Sequence, residues 1–382
     1  MALQPANLPV PVQPSTASLE IVQIVPRLPP HTDGVGDYAL RLSEQLWADH
    51  RIYSHFLVFT TGLEFTPLES GFPIHSLAEH SITALLSTLP VSAQGIILHY
   101  SNYPYLKSPL DLPFWLPKAL EQGIHQRQIP LVVMFHELPT LKIKTFKIIN
   151  PLQIHISRWL TKIAHGVITD SAQFQAYLSR WTRNSIPCIP DFSTVGEPSI
   201  IPPLSDRQRR IVIFGGNDRG RVYKYHLPKL LSICKHLAIQ EIVDIGRPLA
   251  LNAQDFGDIR LIEMGFQPAE VVSQMLLTAI AGMIDYTRFP GDLGKSTVFA
   301  AFTAHGVLPI STVYNPSEGD GLHLNQHYLT PETLRASMSP EQLQGIATTA
   351  HTWYESHSLR ENAKVFAQQF TLQPSPQSPQ SA

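Results

Sequence analysis

The chain is poor in sulfur and has no surplus of charge. It has two cysteines, Cys188 and Cys234, far apart in sequence and unaccompanied by others, so neither a disulfide framework nor a zinc cluster is implied. Its 28 basic and 30 acidic residues nearly cancel, to a formal charge of -2, and no basic run marks a nucleic-acid surface. No apolar run reaches the ~18 residues of a spanning helix, which leaves peripheral contact as the only expected relation to a membrane. Residues 1–18 lack a basic n-region and an apolar core and are rich in Pro, Gln and small residues. They read as a disordered tail rather than a signal peptide, and a reducing cytoplasm is the expected location.

What is present is core-forming material: 43% of the 382 residues are hydrophobic and only 15% charged, as in a packed globular protein. At ~150 residues per domain the length fits two domains. In the first half, short apolar runs (Ile21 to Val25, Phe56 to Thr60, Gly95 to Tyr100, Leu131 to Phe135, Val167 to Thr169) alternate with stretches of helical periodicity, from Tyr38, Phe114, Leu152 and Ala172 onward. Such alternation predicts a parallel sheet with crossover helices. Residues 193–208, rich in Pro and hydroxylic side chains, read as a linker. The alternation then restarts with Ile211 to Phe214, and includes strands at Ile242 to Ile245, Leu261 to Glu263 and Met283 to Tyr286. The expected plan is an N-terminal Rossmann-like domain over 19–192 and a C-terminal one over 209–350. A helical segment, 351–372, and a low-complexity tail, 373–382, follow. Two doubly wound domains facing across a cleft would bind ligands beyond the carboxyl ends of their strands.

Between the first apolar run and the first helical stretch stands Asp33-Gly34-Val35-Gly36-Asp37-Tyr38-Ala39. Gly34 and Gly36 predict a turn where bare N–H groups meet a ligand, with a helix N-terminus favouring an anion. The same residues satisfy the dinucleotide pattern G-x-G-x-x-[GA], but there the first glycine ends the strand directly. Here the eight residues Pro26 to Asp33 intervene, and the next strand has no acidic residue at its end. A plain turn that starts a helix is the remaining alternative.

The segment Pro29 to Leu42 resembles the first loop and helix of GT-B glycosyltransferases of the large retaining nucleotide-sugar group (group 1, family 4 like), where a Gly-Gly-Val-Gly-x-Tyr turn opens the interdomain cleft. Asp33 stands where that group has its first glycine. The resemblance implies glycosyl transfer from a nucleotide-diphosphate sugar to a saccharide, lipid or small-molecule acceptor. No cofactor beyond that co-substrate, no covalent nucleophile, no bound metal and no nucleic acid are implied.

Strand ends supply the other candidates. Leu131 to Phe135 terminates in His136-Glu137-Leu138-Pro139. A zinc-protease reading fails because Thr140 stands where His-Glu-x-x-His needs its second histidine. His136 resembles the family's strand-end histidine that hydrogen-bonds the donor sugar, which makes it the candidate catalytic residue. His99, Asn102 and Glu137, with Gly34 and Gly36, are the other candidate substrate contacts, since hydroxyls want donors and acceptors.

In the second half Gly215-Gly216-Asn217-Asp218-Arg219-Gly220-Arg221 repeats the strand and glycine-loop arrangement. Its Arg219 and Arg221, with Lys224, could neutralise a diphosphate, and the loop resembles the family's first donor-domain loop. Gly294-Lys295-Ser296 invites a P-loop reading that fails on Phe289, where the first glycine belongs. What survives is a helix N-terminus carrying Lys295, with Ser296 or Thr297 as caps. In the family a Glu-x7-Glu pair precedes and begins this helix. Matching Gly306 to that motif's glycine puts Leu293 and Ala301 at the two glutamate positions, with Asp292 as the nearest replacement. The competing expectation is therefore a GT-B-fold binding or scaffold protein that has lost its activity. His323 and His327, near Asp320, read as loop residues rather than metal ligands.

Overall fold

The computed structural model describes residues 18–29, 34–59, 71–77, 79–101, 105, 112–139, 149–287, 292–312 and 318–371. The chain forms two compact units, Met1–Ile189 with Leu359–Ala382, and Pro190–Ser358.

The first unit opens with β1 (Leu19–Val25), α1 (Gly34–His50), β2 (Ile52–Val58), β3 (Ile74–Ser76) and α2 (Ile82–Thr88). It continues through β4 (Ile96–Tyr100), α3 (Trp115–Arg127), β5 (Leu131–Phe135), α4 (Ile149–Ile163), β6 (Gly166–Thr169) and α5 (Ala172–Leu178). The strands pair in parallel in the order β3-β2-β1-β4-β5-β6. β4 and β5 are buried at every position, because helices cover both faces of the sheet. The order reverses direction between β1 and β4, which makes their carboxyl ends the place where such a sheet holds a ligand. β1 is as buried as its neighbours yet carries Gln23, a polar residue with no exposed surface. Burial of an amide on that scale demands partners.

The second unit runs through β7 (Gln208–Phe214), α6 (Gly220–His236), β8 (Glu241–Ile245), β9 (Arg260–Glu263) and α7 (Ala269–Thr278). β10 (Ala279–Asp285), α8 (Thr297–Ala304), β11 (Leu308–Thr312) and α9 (Pro340–Glu355) complete it. Its sheet is parallel as well, ordered β11-β10-β7-β8-β9, with the reversal between β7 and β10. α6 starts at Gly220 and is kinked at His226, whose φ of -130° is non-helical; Pro228 explains the break by removing an N–H and crowding the preceding turn. β11, absent from the sequence reading, contains Pro309, which an edge strand tolerates.

The last helix, α10 (Leu359–Thr371), belongs to the first unit. It packs on α1, where the Tyr38 hydroxyl donates to Asn362 Oδ1 at 3.0 Å and the Tyr38 ring meets Phe366. Among the described residues no helix is long and apolar enough to cross a membrane.

Candidate functional site

In the first unit the strand-end candidates converge. The parallel register sets His99 opposite Met134, one residue before the pair Tyr100 and Phe135, so His136 emerges beside the end of β4. The two imidazoles then lie at 16° to one another, with His99 Nδ1 3.1 Å from His136 Nε2. His99 Nε2 lies 2.8 Å from the Gln23 Oε1 atom, and Gln23 Nε2 donates to the hydroxyls of Ser43 (2.7 Å) and Ser54 (3.0 Å). Burial first, and His136 second, holds the His99 imidazole well below its ordinary pKa, so it is neutral. His136 Nδ1 is 3.8 Å from the buried carboxylate of Asp170 at the end of β6. Tyr38, from the first turns of α1, presents its ring edge-on to both histidines, with centroids 5.9 and 5.1 Å away.

The sequence reading gave Gly34 and Gly36 one role, and the structure gives them two. Neither has a positive φ. Gly34 is exposed in the opening turn of α1, and a Cβ there would meet nothing within 4 Å. At Gly36 a Cβ would lie 2.1 Å from the Arg27 carbonyl oxygen, so this glycine is required by the close approach of α1 to the chain leaving β1. Glu137 is half-buried directly after His136. Asn102 and Asp33 lie outside the described residues. Gln23 carries the histidine pair and was missed. Its signal was a lone amide inside the apolar run Ile21 to Val25.

In the second unit the carboxyl ends of β7 and β10 gather the remaining candidates. Gly215 takes φ 120°, a conformation that favours glycine, and its α-carbon faces α8 so closely that a Cβ would lie 3.1 Å from Val298 Cγ2. Gly216 is exposed and open around its α-carbon. Of the two caps the sequence offers, Ser296 is the one used, accepting from Phe299 N at 3.2 Å; Thr297 is the first residue of α8, and the half-buried Lys295 stands one residue before the cap. A glycine loop thus abuts a helix N-terminus at the reversal point of the sheet, an arrangement suited to an anion.

Two of the residues expected at a diphosphate are committed to the protein itself. Arg219 is buried, and its Nε and Nη2 bind Asp244 at 2.9 to 3.2 Å while Nη1 and Nη2 reach the carbonyls of Gly215, Gly216 and Arg247. Tyr223 donates to the same Asp244 at 2.8 Å. Arg219 therefore shapes the glycine loop from beneath. The Gly294 N–H, in turn, donates to Asp320 Oδ2 at 3.0 Å. Burial pushes the Asp320 carboxyl up, its backbone hydrogen bonds pull it back down, and nearby Asp292, itself buried, adds to the rise.

Arg221 remains partly exposed. Its Nε binds Asp285 Oδ2 at 2.7 Å, and its guanidinium lies 4.9 Å from the exposed Tyr225 ring. Burial alone would raise the Asp285 carboxyl, but hydrogen bonds from Thr312, Thr287 and Arg221 more than offset it and hold it below its ordinary value. Lys224 is exposed, 5.2 Å from the same Tyr225 ring. His323 and His327 sit in a turn, with His327 Nδ1 accepting from His323 N at 3.0 Å.

No family model matches the chain, and comparison with curated proteins finds no match. Solved structures do match. HepE of Anabaena, crystallised with UDP and glucose, is 12% identical over 93% of this chain and 100% of its own, with a TM-score of 0.62. WaaG, a glycosyltransferase involved in lipopolysaccharide biosynthesis, is 12% identical over 92% and 100%, with a TM-score of 0.59. A glycosyltransferase from Rickettsia africae is 11% identical over 94% and 100%, also at 0.59. At such identities the likeness shows the fold, and the fold is GT-B.

Proposed function

We propose that the chain is a glycosyltransferase that moves a sugar from a nucleotide-diphosphate sugar to an acceptor, with retention and without a metal or further cofactor. The observation that carries this reading is the contact of the Gly215 loop with the N-terminus of α8, at the point where the order of the second sheet reverses. A helix dipole beside a glycine loop suits a diphosphate, and HepE, of the same fold, was crystallised with UDP. Lys295, Arg221 and Lys224 would stabilise the charge that develops on the departing diphosphate, and Arg219 would hold the loop that receives it. His136 would orient the sugar, with Glu137 beside it and His99 buried behind it.

A second reading has an observation of its own. The positions matched to the family's glutamates, Leu293 and Ala301, are both buried in apolar clusters. Neither can meet a ribose, which favours a GT-B-fold protein that binds a nucleotide sugar or a partner without turnover. Calorimetric titration with a panel of UDP-, GDP- and ADP-sugars, followed by a donor-hydrolysis assay, separates the two. Binding with hydrolysis supports the enzyme, binding without hydrolysis under any condition supports the second reading, and absence of binding sinks the enzyme and leaves the second reading only as recognition of a partner.

A further inference from the structure

At the carboxyl ends of β1, β4 and β5 the side chains form a chain of hydrogen bonds that has a single direction. It begins at the main-chain carbonyl of Ala39 in α1, which accepts the Ser43 hydroxyl proton at 2.9 Å. With its one proton committed, Ser43 can only accept from Gln23, so the amide nitrogen is the Gln23 atom that faces it at 2.7 Å. The amide oxygen consequently faces His99, whose Nε2 must donate to it at 2.8 Å. A neutral, fully buried His99 has one proton, and with that proton on Nε2 its Nδ1 is a lone pair. His136 Nε2, 3.1 Å from that lone pair, has to carry a hydrogen.

We propose that Gln23, acting through His99, is a positioning residue that fixes the tautomer of the neutral His136 ring: the hydrogen is on Nε2, and not on Nδ1, the nitrogen 3.8 Å from Asp170. Asp170 acts against this order, since a carboxylate near Nδ1 favours a neutral ring protonated there. Gln23 prevails because its oxygen makes a buried hydrogen bond and its amide is held in one orientation by two serines. The use of the lock is to hold the His136 ring in a single tautomer for the sugar, and that use rests on the glycosyl-transfer reading. The tautomers themselves do not.

The test is long-range proton–nitrogen NMR on the full chain labelled with 15N-histidine, above the pH range in which imidazoles titrate, with His99→Gln and His136→Gln spectra to assign the signals. In the parent, His99 and His136 should each carry their proton on Nε2; either ring protonated at Nδ1 overturns the proposal. Gln23→Met keeps the volume and removes the acceptor, leaving Asp170 unopposed, and a buried unsatisfied N–H costs more than an unsatisfied lone pair. Both rings should then invert to Nδ1–H, and unchanged tautomers in the folded variant overturn the role of Gln23. Should that variant not fold, the double variant Ser43→Ala, Ser54→Ala removes both acceptors of the Gln23 amide nitrogen and frees the amide to turn. Loss of the single tautomer at His99 is expected there, and an unchanged one again overturns the lock. A donor-turnover assay is the separate arm: inverted tautomers with unchanged turnover overturn the use of the lock, and a parent with no turnover bears on the proposed function alone.

Discussion

Gly36 lies against Arg27 so closely that a Cβ would fall 2.1 Å from the Arg27 carbonyl oxygen. Two residues earlier, Gly34 has open space around its α-carbon. The pair therefore separates a packing requirement from ligand access. Gly36→Ala should destabilise the first unit by about 1–3 kcal/mol, because main-chain atoms must shift. Gly34→Ala should be neutral or stabilising by up to about 1 kcal/mol, as Ala is the better helix former. Thermal melts of the two variants decide this, and equal melting temperatures would remove the distinction.

Arg219 and Asp244 are a buried ion pair, their side chains 2% and 1% exposed. Asp244→Asn leaves a buried guanidinium without its counter-charge and should cost about 3–5 kcal/mol of stability. Nucleotide binding should fall only as far as the Gly215 loop moves. Urea unfolding with parallel calorimetric titration would show it; a stable variant with binding abolished would instead make the pair part of the ligand contact.

Lys295 stands immediately before the cap of α8. In Lys295→Ala, UDP or GDP binding should weaken by about 1–3 kcal/mol, roughly 5- to 150-fold in Kd, with free-sugar binding unchanged. Calorimetry reads both. Unaltered nucleotide affinity would place the diphosphate elsewhere.

His136→Ala should lower kcat by ~10²-fold or more and leave nucleotide affinity nearly intact, as expected when an interaction made mainly in the transition state is lost. Circular dichroism must show the variant folded. Equal turnover would remove His136 from the chemistry.

His305, at the end of α8, is buried between Ser273 and the Ala301 carbonyl, and burial first of all lowers its pKa to about 4, with Arg207 and His351 adding to the fall. It stays neutral in the folded state while the unfolded chain takes up a proton near pH 6.5. Its contribution is thus fully present above ~6.5 and is lost as the pH falls toward about 4, on the order of 3 kcal/mol in all. Unfolding curves at pH 7 and pH 4.5 should differ less in His305→Gln, which can keep both hydrogen bonds, than in the parent. Equal differences would assign the acid sensitivity to other groups.

The sequence by itself determined the layered plan. Alternating apolar runs and helical periodicity are local signals, so Leu131–Phe135 was legible to the residue and both sheets are parallel as expected. The cap of α8 was legible to within one residue, Ser296 or Thr297, because a hydroxyl before an apolar run is a local device, and the structure selects Ser296. Tertiary structure alone decided which polar residues meet. The His99 to His136 contact depends on the register of β4 against β5, and Gln23 joins it only because β1 is the neighbour of β4. Arg219 and Arg221 look alike in the chain, yet one lies buried on Asp244 and the other is partly exposed on Asp285. That difference arises from which strand end each helical position faces. Tyr38 finds Asn362 at 3.0 Å across 324 positions of sequence, a partner that no local pattern could indicate. Composition and periodicity fix what a segment can bury, whereas partner choice follows from packing among segments distant in the chain.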